Sequence, residues 1–128
     1  MNDLISYAPM IGRIMVGFVF FYSSFCNIAY RSIKIETLIE KRLPKPAWVL
    51  AIGIIWQFIF GLMVMLDFYT VWSAAALILF TFLSATLYHD FWNAKSAADW
   101  RMRMQGLTNN IGIVGGLLLV IFIAWPNG

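Results

Sequence analysis

The single histidine, His89, is followed directly by Asp90 inside the run Thr86-Leu87-Tyr88-His89-Asp90-Phe91-Trp92. An imidazole beside a carboxylate can exchange protons near neutral pH, and the Tyr88 and Trp92 rings could hold a flat headgroup against it. Tyr, His, Asp and Trp are equally at home among lipid headgroups, so the same run also reads as an interfacial anchor. Successive helical residues diverge by about 100°, which leaves open whether Asp90 faces His89.

A second set of polar residues lies in otherwise apolar surroundings. Arg13, Gly17, Phe20, Ser24 and Asn27 follow one another at helical spacing and share one face. Small and polar residues aligned in this way suit contact with sister helices rather than with lipid. Arg13 either snorkels outward, pairs internally with Asp67 or Gln57, or meets an anionic or carbonyl oxygen of a ligand. Gly53, Gln57 and Gly61 align in the same manner, as do Thr108, Gly112 and Gly116 with Gly115 alongside. The glycines read as packing faces or as space for a ligand. Gln57 is an amide at mid-membrane that must find internal partners, as helix glue or as part of a site. The candidate chemistry is therefore His89 and Asp90 as catalytic groups, with Arg13, Asn27, Gln57, Tyr88, Trp92 and Asn110 as cofactor-binding groups.

The elements that must position these residues follow from charge. The uncharged runs Ile14–Tyr30, Pro46–Leu66, Phe68–Tyr88 and Met104–Gly128 each approach the ~20 residues that cross a hydrocarbon core as a helix. They predict an all-α integral membrane four-helix bundle, one domain over 1–128, with spans at about 7–30, 47–66, 70–89 and 106–125. The loops that then share one face carry Arg31, Lys34, Lys41, Arg42, Lys45, Lys95, Arg101 and Arg103, while the opposite loops and tails carry no Lys or Arg. This bias predicts a multi-pass membrane protein with both termini outside, in the periplasm if the membrane is the inner membrane of a Gram-negative bacterium. It brings Asn27, His89, Asn109 and Asn110 to one layer near the cytoplasmic face. Short interfacial helices are expected in both cytoplasmic loops, one over Ser32–Arg42 stopped by Pro44 and Pro46, the other starting at Ser96. Asp67-Phe68-Tyr69-Thr70 is a tight outer hairpin. Met1–Ile11 lacks a basic region and a small-residue cleavage site, so the first span is expected to be retained.

Several chemistries lack their residues. One cysteine, Cys26, offers no internal disulfide or thiol pair, and one histidine cannot supply bis-His haem ligation. The scattered acids do not suggest a metal site, and no glycine-rich nucleotide loop follows a strand. The net charge of +3 reflects loops that meet anionic lipid rather than nucleic acid.

These residues resemble the DoxX family of small four-helix bacterial inner-membrane proteins. The resemblance runs from Arg13 to about Leu119: Arg13-Ile14-Met15-Val16-Gly17, Phe20 and Ser23-Ser24, then Gly61, then Ala85 through Trp92, then Asn110 with Gly115-Gly116. The chain departs from the pattern near Asn27, where the family often has Lys, and at Gln57, where it often has an acid; no Arg follows the outer turn, where Thr70 precedes Val71. The resemblance implies a membrane subunit of a redox assembly, as in one component of a thiosulfate:quinone oxidoreductase. It further implies a quinone as the small-molecule partner, with electrons from a protein subunit. Two other readings remain open beside it: a structural or assembly subunit, and a small-solute transporter or lipid-binding protein built as a homo-oligomer.

Overall fold

The structure, a computed structural model, describes residues 2–127. Its α-helices are α1 (Asn2–Ala29), α2 (Arg31–Glu40), α3 (Pro46–Met65), α4 (Thr70–Tyr88) and α5 (Ala97–Ala124), with 3₁₀ turns at Phe91–Asn93 and Trp125–Asn127 and no strand among the described residues. Helices α1, α3, α4 and α5 are long and apolar enough to cross a membrane. Helix α1 packs on α3 and α5, and α4 packs on α3 and α5, which closes the bundle; α2 lies against α3, α1 and α4 at one end. That end carries the basic loops and is the basic end of the bundle. The opposite end carries the α3–α4 turn.

Apolar side chains gain nothing by leaving lipid for one another, so close packing and internal hydrogen bonds hold such helices together. The tightest contact is between α1 and α3. A β-carbon at Gly17 would lie 2.8 Å from the Gly61 carbonyl oxygen, and one at Gly61 would lie 2.9 Å from the Phe21 nitrogen. Only glycine on both helices lets the backbones approach this far. Around the crossing, Phe20, Val64, Ala74, Leu77, Leu117 and Val120 form the core. Two buried hydroxyls satisfy themselves on their own helices: Ser24 Oγ donates to the Phe21 carbonyl at 2.6 Å and Thr81 Oγ1 to the Leu77 carbonyl at 2.8 Å.

Two helices end in left-handed turns built without glycine. After α2, Arg42 takes φ 59°, its N–H donates to the Ile39 carbonyl, and the Leu43 N–H donates to the Leu38 carbonyl. After α3, Asp67 takes φ 57°, with matching bonds from Asp67 to Val64 and from Phe68 to Met63. Both are left-handed caps that satisfy the last carbonyls. Helix α2 therefore stops ahead of the prolines and not at them.

The basic loop between α4 and α5 departs from the sequence expectation. No separate interfacial helix forms there. Ser96 caps the chain by accepting from the Asp99 N–H at 3.0 Å, and α5 then runs unbroken for 28 residues. No proline interrupts Ala97–Ala124, and Asp99 with Arg103 adds an (i, i+4) ion pair at 3.0 Å in the turns just ahead of the expected span. The α5 packing face differs too: Gly116 meets Val16 on α1, but Gly112 and Gly115 have nothing within 4 Å.

Candidate functional site

A chamber of about 590 Å³ opens in the half of the bundle next to α2. Asn27, Gln57, Tyr88, His89 and Asn110 all line it, one or two from each of the four long helices or their ends. Its other walls are mostly apolar, and it reaches the lipid-facing surface at Ile52 and Leu83, both exposed. An apolar chamber with a few converging polar groups is the usual form of a small-molecule site.

Asn27 Nδ2 donates to Gln57 Oε1 at 2.6 Å and bridges α1 to α3. Gln57 stands where the resemblance implies an acid and Asn27 lies near where it implies a Lys, so the bridge between α1 and α3 is neutral. One amide bond between them leaves a carbonyl oxygen and an NH₂ group whichever way the amides are turned. Gln57 is 5% exposed, yet no buried polar side-chain atom lacks a partner among the described residues, so its remaining amide atom opens to the chamber. His89 ends α4 with its ring seated on Gly106, where a β-carbon would overlap Nδ1 and Cε1. Gly106 is thus what admits the imidazole between α4 and α5.

Asp90 does not enter the chamber or orient His89. The chain leaves the helix at His89, with φ −119°, and turns the next side chain the other way. Its carboxylate, 1% exposed, accepts from Lys41 Nζ and from Asn93 Nδ2 at 2.8 Å on one oxygen and from Arg103 Nη1 at 2.6 Å on the other. Arg103 also holds Asp99, so two cations and two carboxylates neutralise one another. This network ties α2 to α5 and forms a structural latch beside the chamber.

Arg13 and Trp92 also stand apart from it. Arg13 lies 14 positions from Asn27 on α1, about 21 Å along the helix, at the opposite end. There its Nε donates to the Val64 carbonyl at 3.0 Å and its Nη1 lies 3.6 Å from Asp67, which also accepts from the Thr70 hydroxyl. The guanidinium thereby fastens α1 to the last turn of α3, and it lines a second, separate cavity of about 740 Å³. Trp92 is 62% exposed and packs edge-on against Phe91 with ring centroids 5.3 Å apart. It lies on the surface of the basic end, outside the chamber lining.

Lys34, one of the basic loop residues, is turned inward by α2 to line the chamber, with Nζ 4.2 Å from the Tyr88 ring centroid. The signal was present in the spacing. Three and four positions away along α2 lie Arg31, Tyr30, Thr37 and Leu38, so no acid is available to Lys34 on its own helix. Burial lowers its proton affinity below that of an ordinary lysine.

Among the described residues no three His, Cys, Asp or Glu side chains converge as a metal site would require. No curated protein and no solved structure matches the chain. The DoxX family model matches residues 8–90, which takes in α1 through the His89-Asp90 corner. With that match covering well over half of its length, and with four apolar helices of spanning length, this multi-pass inner-membrane protein belongs to the DoxX family.

Proposed function

We propose that the chain is a membrane subunit of a quinone-linked oxidoreductase assembly, and that the chamber at its basic end receives a quinone or quinol headgroup. The observation that carries this reading is the convergence of His89, Asn110 and the Asn27–Gln57 pair on an apolar chamber with an opening to lipid. A flat ring with oxygens at opposite edges and an isoprenoid tail has the matching chemistry: amide donors for the oxygens, apolar walls for the ring, and Ile52 and Leu83 at the exit for the tail. A bound quinone would supply the electron-accepting chemistry, which this chain's own residues lack. The His89 imidazole lines the chamber and has no side-chain hydrogen bond among the described residues, so it is available to hold a proton against a ring oxygen. The electrons come from a partner subunit. On this reading the whole chain acts as one four-span domain, the eight-to-none basic bias puts the chamber toward the cytoplasm, and both termini are periplasmic.

The test is direct binding. Purified protein titrated with a short-chain ubiquinone or menaquinone analogue should show saturable binding that His89→Ala weakens about tenfold or more, the worth of one well-placed hydrogen bond in a desolvated site. Binding unchanged by the substitution would remove the headgroup from this chamber.

A further inference from the structure

Eight Lys and Arg side chains gather at the basic end, and five of them, Arg31, Arg42, Lys45, Lys95 and Arg101, are exposed. Of the three that are not, Lys41 and Arg103 share the buried Asp90 carboxylate. Lys34 alone is drawn in from solvent with no acid against it among the described residues, and no Asp or Glu lines the chamber it faces. Its one partner is the face of the Tyr88 ring, a weak substitute for a counter-ion.

We infer that Lys34 is a specificity-determining residue, and that the chamber selects an amphipathic ligand carrying an anionic oxygen on its headgroup, held between the Lys34 ammonium and His89. The inference rests on the quinone reading for the shape of the ligand and adds the charge. A half-buried ammonium without a counter-ion is costly, and an anionic oxygen in the chamber repays its desolvation where a neutral carbonyl repays only part. The Asn27–Gln57 bridge is neutral, so nothing deeper in the chamber repels that anion. The same chemistry could be supplied by an ionised hydroxyquinone-type ring or by the phosphate of an acidic lipid entering past Ile52 and Leu83.

The probes are an alkylated hydroxynaphthoquinone, a vinylogous acid ionised at neutral pH, and its neutral O-methyl ether. Each is titrated calorimetrically into the full chain in phosphatidylcholine nanodiscs. The wild type should bind the ionised probe about tenfold or more tightly than the ether, the scale of one charge-assisted hydrogen bond. Lys34→Gln should erase the difference by weakening the ionised probe far more than the ether, whose remaining binding also shows that the variant is folded; Lys34→Arg should preserve it. If phosphatidylglycerol added to the discs abolishes the wild-type preference, the anionic oxygen belongs to lipid phosphate and the selection for charge stands. Equal binding of the two probes, or a preference that survives Lys34→Gln, overturns the inference and leaves the quinone reading intact. If neither probe binds, the quinone reading fails. The inference then survives only if phosphatidylglycerol raises the melting temperature of the wild type above that of Lys34→Gln, and falls if it does not.

Discussion

Replacing Asp90 by Asn separates the two roles that a His-Asp pair suggests. The carboxylate is 1% exposed and neutralises Lys41 and Arg103, whose side chains retain 22% and 23% exposure. Breaking a buried ion pair by removing one partner costs about 3–5 kcal/mol, because the other charge is left without compensation. Here the two cations keep about a fifth of their surface in contact with solvent, and Arg103 keeps Asp99, so both recover part of their hydration. The expected loss is about 2–3 kcal/mol, or roughly one and a half to two powers of ten in the folded-to-unfolded ratio. It would be read as a shift of the unfolding midpoint in mixed micelles of mild detergent and dodecyl sulfate. Lys41→Met in the same assay costs less, since Arg103 and Asn93 still hold the carboxylate. In the double variant neither a lone Lys41 nor a half-paired carboxylate remains, so the two losses should fall short of adding by about 1 kcal/mol or more. Quinone-analogue affinity, measured well below the melting temperature, should stay within about threefold of wild type, a range of under 1 kcal/mol. An Asp90→Asn protein as stable as wild type that binds the analogue poorly would refute the latch and return Asp90 to the site.

Two further substitutions test the packing. Gly17→Ala forces a methyl group against the Gly61 carbonyl at 2.8 Å and should cost about 1–3 kcal/mol in the same unfolding assay, whereas Gly115→Ala, with nothing within 4 Å, should be neutral or slightly stabilising. A stoichiometric partner shed on Gly115→Leu would identify this open α5 face as its dock. Gly106→Ala drives a β-carbon into the His89 ring; the ring must swing, and analogue binding should fall at least as far as in His89→Ala, while binding that survives would show that the imidazole need not sit between α4 and α5.

The four long helices were legible because charge is excluded from them and because basic residues crowd alternate loops. Helical spacing also found the α1 face that meets α3, since Gly17 and Gly61 are small for a reason that spacing reveals. What sequence could not give was the direction of side chains at element ends. Asp90 lies one residue past the His89 cap, and a single non-helical φ there decides between chamber and latch. Lys34 depended on the rotational setting of α2. With Leu38 at 0% exposure as the buried anchor of that helix, Lys34 one turn earlier is carried to the same inward side. The glycine stripe on α5 failed differently: the Thr108, Gly112 and Gly116 spacing is real, but only Gly116 lies where α1 crosses.

The distribution of compensated charge gives the bundle a polarity that the net charge conceals. At the α3–α4 turn, Arg13 is answered by Asp67 and by a helix-terminal carbonyl, so the cavity there faces a cation already engaged. At the basic end the latch is self-neutralising, and the bridge across the chamber is an amide pair that ties α1 to α3 with no fixed charge of its own. A bridge of two ions at that depth would carry a desolvation cost, and losing either partner would strand a charge in the bundle; the amide pair avoids both. Its further consequence is electrostatic. With the bridge and the latch both neutral, Lys34 is, among the described residues, the half-buried cation at this end with no acid against it, and it stands at the chamber wall beside Tyr88 and His89. On the proposed quinone reading, a headgroup entering from the lipid would meet the field of that cation, which would orient its most negative oxygen toward α2 and leave its tail toward Ile52 and Leu83.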